Sequence, residues 1–195
     1  MLRVVSGGQT GVDRGALDAA LDLGIECGGW CPAGRLAEDG TIPEGYPVVE
    51  LANAGYGERT ARNVADSDGT LIISNAGLIG GTHETFERCV EMQKPYLVID
   101  CKVVPIDQAI DLAVRFISHL SSRANARDLT KCGTAIEHSR DSSVRAEPAL
   151  SARPRMTTIL NVAGPRASQW PEGYALTYQV MAAILRRISG QNDAN

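Results

Sequence analysis

Short apolar runs alternate along this chain with longer segments in which apolar residues return every three or four positions. The first kind reads as strand and the second as amphipathic helix. Strands are predicted at Arg3–Ser6, Thr70–Ser74, Tyr96–Asp100 and Thr157–Val162. Helices are predicted at Val12–Leu23, Glu58–Ala65, Thr82–Gln93, Ile106–Leu120 and Tyr174–Ile188. In the first helix the periodic set is Val12, Ala16, Leu17, Ala20 and Leu21, and Gly24 supplies the stop. Thr70–Ser74 is apolar without alternation, as expected of a strand covered on both faces. Strands that take turns with helices imply βαβ units, hence an α/β protein in three layers with a mostly parallel sheet. The strands near residues 3, 70, 97 and 159 are expected to be parallel neighbours.

Two stretches break this rhythm. Residues 28–47 are rich in glycine and proline and read as a long loop, preceded by a short second strand seeded at Ile25. Residues 121–155 have few large apolar side chains and carry seven basic against four acidic ones, whereas the whole chain has a net charge of −4. They read as a mobile, exposed insertion in a single domain spanning 1–190, followed by a frayed tail at 191–195.

Composition narrows the function classes. The 195 residues are 44% hydrophobic and 22% charged, ordinary for a globular domain. The acidic balance and an aromatic content of 5% argue against a nucleic-acid binder, which needs a positive footprint and stacking platforms. No run approaches the length of a membrane span, and the first residues lack a signal-peptide pattern, so a cytoplasmic location is expected. The five cysteines are scattered. Cys27 and Cys31 lack partners for a metal site, and free thiols are the simpler reading.

The chemistry is concentrated at three strand-to-helix junctions. The first holds Gly7, Gly8, Gln9, Thr10, Gly11, Asp13 and Arg14; the second runs from Ser74 to Gly80, Gly81, Thr82 and Glu84; the third holds Gly164 and Arg166. In a parallel sheet, ligands sit beyond the C-terminal ends of the strands. Glycine lets the backbone approach an anion, and free amides at a helix start attract it. Thr10 and Thr82 add hydroxyls, and Arg14 and Arg166 offer bidentate clamps for phosphate. All three junctions are expected to converge on one phosphate. Other side chains have two readings each. Asp13 either touches the ligand or stabilises its helix start. Trp30 either stacks on a ligand ring or anchors its loop. Arg35 either reaches the phosphate or is solvated. Arg59 and Asn63, four apart, form either a pocket wall or a solvated face. His83 is either a neutral donor beside the second junction or a surface side chain.

The motifs SGGQTGVDRGALDAAL, GGWCPAGR, GTLIIS with GLIGGT, and LNVAGPR, in this order, resemble the molybdenum carrier family. That family groups with circularly permuted YpsA-like proteins in a Rossmann-like superfamily that includes LOG-type enzymes and DprA. The resemblance covers residues 1–120 and 156–188. It implies a Rossmann-like fold, a phosphorylated pterin- or nucleotide-like ligand such as the molybdenum cofactor, and a homo-oligomer, dimer or tetramer. It implies a binding or carrier protein rather than an enzyme. The alternative is a nucleotide-processing enzyme such as a nucleoside monophosphate phosphoribohydrolase. Against that alternative, the Glu of the LOG motif falls on Thr85. Glu84 stands one residue early, about 100° round a helix, and is expected to point elsewhere unless the loop compensates.

Overall fold

The computed structural model describes residues 1–132 and 157–190. Six parallel strands form the sheet: β1 (Leu2–Val5), β2 (Cys27–Cys31), β5 (Val48–Glu50), β6 (Gly69–Ser74), β7 (Tyr96–Asp100) and β8 (Thr158–Ala163). Their spatial order is β5-β2-β1-β8-β6-β7. A small antiparallel hairpin, β3 (Leu36–Ala37) and β4 (Gly40–Thr41), stands apart from it. The helices are α1 (Val12–Asp22), α2 (Tyr56–Asp66), α3 (Gly80–Glu91), α4 (Ile106–Cys132) and α5 (Gly173–Ser189). The fold is Rossmann-like α/β, and the four strands expected to be neighbours are contiguous as β1-β8-β6-β7.

Alternation along the central strands sorts the two faces. Leu71 and Ile73 of β6, with Leu160 and Val162 of β8, pack against α1, α4 and α5 in the main core. Thr70, Ile72 and Ser74, with Asn161 and Ala163, turn to the side of α2 and α3 and are equally buried. Every residue of β6 and β8 is buried, which is why Leu71–Ile73 is apolar without alternation.

The structure corrects the long loop. Residues 28–47 contain most of β2, a 3-10 turn at Ala33–Arg35 and the hairpin. Cys27-Gly-Gly-Trp-Cys31 lacks the β-branched residues that mark strands, and its glycines are there for proximity. A Cβ on Gly29, at φ +135°, would lie 2.1 Å from the carbonyl oxygen of Ser6. Leu17, Cys31, Ala37, Ile42 and Val48 form a second small core beneath this region. The region read as an insertion is helical at its start, because α4 continues to Cys132. Ser121 ties that extension down through its hydroxyl, 2.9 Å from that of Thr158. The rest of the insertion, and the tail, lie outside the described residues. Among the described residues, no helix is long and apolar enough to cross a membrane.

Candidate functional site

Because β1, β8 and β6 are adjacent and parallel, the loops that follow them open at the same end of the sheet. A cleft of about 210 Å³ lies there, on the α2/α3 side. Gln9 and Asp13 line it from the first junction, Gly81, Thr82 and Glu84 from the second, and Gly164 and Arg166 from the third. Tyr56, Arg59 and Thr60 of α2 complete the wall.

Arg59 is the main cation of this cleft. Its side chain is 13% exposed, and its Nη1 lies 3.6 Å from Asp13 Oδ2. A Cβ on Gly7 would fall 1.7 Å from that nitrogen, so Gly7 makes room for the guanidinium. Asp13 is buried and accepts a hydrogen bond from the Gln9 amide at 3.2 Å. Burial pushes its carboxyl above the usual range, and Arg59 and that amide offset only part of the shift. Three buried polar atoms at this end of the sheet lack a partner: Arg59 Nε, Thr82 Oγ1 and Ser74 Oγ. Buried polar groups are nearly always paired, so three such atoms at one end of the sheet are a feature to be explained.

Only one of the three junctions offers an open helix start. The N-cap of α3, Ile79, has no side-chain cap, and a Cβ on Gly81 would meet nothing within 4 Å. The start of α1 is closed instead: the Val12 amide donates to Pro165 O at 3.3 Å. Gly11 permits that approach, since a Cβ there would lie 2.6 Å from the same oxygen. α5 begins only at Gly173, well past the third junction. The three helix starts therefore do not converge on one point, although the loops share one cleft.

Several predicted site residues are placed elsewhere. Arg14 is not in the cleft wall: it chelates Asp39 at 2.6 and 2.8 Å and donates to Gly8 O. Gly8 faces Ile42, 3.1 Å from where its Cβ would stand. Thr10 donates to Glu38. Trp30 anchors α2, donating through Nε1 to Asp66 at 2.8 Å, while its backbone amide donates to Asn63 Oδ1 and its carbonyl accepts from Asn63 Nδ2. Arg35 organises its own loop by donating to the carbonyls of Ile42, Pro43, Tyr46 and Val48. His83 is half exposed beside Glu87. Gly80 starts α3 at φ +53°, with its missing side chain 3.4 Å from Gln169. Gly164 lines the cleft, and because a Cβ there would be 2.2 Å from Ile73 O, its lack of a side chain serves strand packing as well. Glu84 lines the cleft too. Gly81, Glu84 and Thr85 share one face of α3, so the single-residue offset did not turn it away. The helical spacing of Arg59 and Asn63 was visible in the chain, but the two part company: Arg59 enters the cleft while Asn63 is bound to Trp30.

The hairpin fastens the rim. Glu38 accepts hydrogen bonds from Thr10, from the Ser168 amide at 3.1 Å and from the Ser168 hydroxyl, and it lies 3.6 Å from Arg166 Nε. Desolvation raises its pKa, but the Ser168 and Thr10 hydrogen bonds and Arg166 together bring it below the ordinary 4.5. A depressed carboxylate stabilises the fold fully above its unfolded pKa and loses that contribution as pH falls through the folded value. Glu38→Gln is therefore expected to lower the urea midpoint at neutral pH. The difference from wild type should shrink below pH 4.5; a gap of unchanged size in acid would contradict this.

The parallel sheet, with its cleft at the strand C-termini, defines a Rossmann-like α/β domain. The chain belongs to the circularly permutated YpsA SLOG family, whose model matches residues 4–134. It is also similar to a solved structure from Syntrophus aciditrophicus SB described as a "Putative molybdenum carrier protein", with 36% identity, 94% of each chain covered and a TM-score of 0.74. No curated protein matches the chain significantly.

Proposed function

We propose that this protein binds a phosphorylated pterin- or nucleotide-like molecule in the cleft and acts as a carrier, with molybdenum cofactor as the leading ligand. The observation that carries this reading is the buried Arg59 guanidinium, whose Nε has no partner, in the same cleft wall as the unpartnered hydroxyl of Thr82. Arginine at a desolvated site suits phosphate oxygens, and the uncapped start of α3 adds amide donors. Arg166, half exposed and lining the same cleft, supplies a second positive charge. A phosphorylated pterin fits this donor set at its phosphate. The described residues contain no cluster of three or more His, Cys, Asp or Glu able to hold a metal, so Arg59, Thr82 and the α3 start would hold the cofactor by that phosphate. The name of the Syntrophus relative supports the carrier assignment.

Mass spectrometry of small molecules released from protein purified at low salt tests the reading. A phosphorylated heterocycle in stoichiometric amount is the expected result. Incubation with AMP should release no adenine; its release would favour a phosphoribohydrolase over a carrier.

A further inference from the structure

We propose that Tyr56 is the residue that recognises the ring of the ligand, stacking on a planar heterocycle whose phosphate is held by Arg59. The proposal rests on the anion site above and adds the specificity-determining group.

Tyr56, Arg59 and Thr60 stand at i, i+3 and i+4, so α2 turns them toward the cleft together. Three residues along a helix are about 4.5 Å of rise, so a single ligand can bridge the guanidinium and the aromatic ring. Tyr56 is 45% exposed although it lines a concave wall. Gly55 and Gly57 flank it and add no side chains of their own, and Glu84 closes over Gly57 from α3, 2.8 Å from where a Cβ would be. The other described aromatic rings are engaged elsewhere. Trp30 is bonded to Asp66, Tyr46 and Tyr174 to Asp18, and Tyr178 to Asp22. Phe86 and Tyr96 pack edge to face, Phe116 packs against the main core, and Trp170 is buried in it. Tyr56 is the aromatic residue that lines the cleft among those described. Stacking of this kind needs a flat π face and tolerates different ring systems, which suits nucleotides and pterins alike.

The test is calorimetric titration of wild type, Tyr56→Ala and Tyr56→Phe with AMP and with ribose 5-phosphate, with thermal melts to verify folding. The expected result is that wild type prefers AMP and that Tyr56→Phe keeps the preference. Tyr56→Ala should weaken AMP by roughly 5- to 150-fold, the range for loss of one base–aromatic stack, with ribose 5-phosphate unchanged. Equal affinity of wild type for the two probes would overturn the stacking role and leave the anion site standing. So would a Tyr56→Ala variant that weakens both probes alike or neither. Failure of wild type to bind either probe would overturn the anion site and the stacking role together.

Discussion

Arg59→Ala is expected to weaken the binding of phosphorylated ligands by roughly 10- to 150-fold or more and also to destabilise the protein. The two losses have different causes. A charge-assisted hydrogen bond contributes about 1.5–3 kcal/mol, so losing one contact costs roughly 10- to 150-fold in affinity, and losing a bidentate one costs more. The loss of stability comes from Asp13. Its side chain is 5% exposed, and without Arg59 it becomes a buried carboxylate facing no cation. Breaking a buried pair from one side typically costs about 3–5 kcal/mol. Asp13→Asn combined with Arg59→Ala removes that charge and keeps an oxygen for the Gln9 amide. The double variant is therefore expected to recover much of the stability and none of the binding. Chemical denaturation and titration with AMP read the two effects separately. A double variant that regained affinity would remove Arg59 from the anion site.

Gly29→Ala is the second large effect, and it should fall on the fold. The methyl group would lie 2.1 Å from Ser6 O and 2.8 Å from Ser6 N, backbone atoms of the neighbouring chain segment that cannot step aside. Overpacking costs about 1–3 kcal/mol, and an alanine held at φ +135° adds backbone strain of about 1–3 kcal/mol. Together they approach the whole stability of a marginal domain. The strands β2 and β5 join the sheet only through β1, so they and the small core of Leu17, Cys31, Ile42 and Val48 should be lost first. Urea unfolding measures this, and a change below about 1 kcal/mol would show that β1 and β2 can separate without cost. Gly81→Ala is the contrast: nothing lies within 4 Å of its Cβ, so the fold should survive.

The central strands and the helices were legible in the chain because their patterns are local. Thr70–Ser74 holds three consecutive apolar residues because both faces of β6 are covered, and α1 buries Val12, Ala16, Leu17 and Ala20 of its periodic set, while Leu21 stays exposed. The position of the cleft was legible, since glycines after strands mark the C-terminal end of a parallel sheet. The chain suggested a short second strand from Ile25 but not its course through Cys27–Cys31, and it did not disclose β5. β2 is built on glycines demanded by contact with β1, and β5 has only three residues paired to β2. Nor could it rank its arginines. Arg14 and Arg59 both stand near a glycine loop, on helices, with acids in the same sequence neighbourhood. The fold brings the hairpin's Asp39 onto Arg14, which forms a bidentate pair with it and a third bond to Gly8 O away from the cleft. It seats Arg59 over Gly7, in the cleft, with one nitrogen unpaired. Which cation faces the cleft depends on contacts between segments 25 to 52 residues apart, and only the packed chain sets those distances.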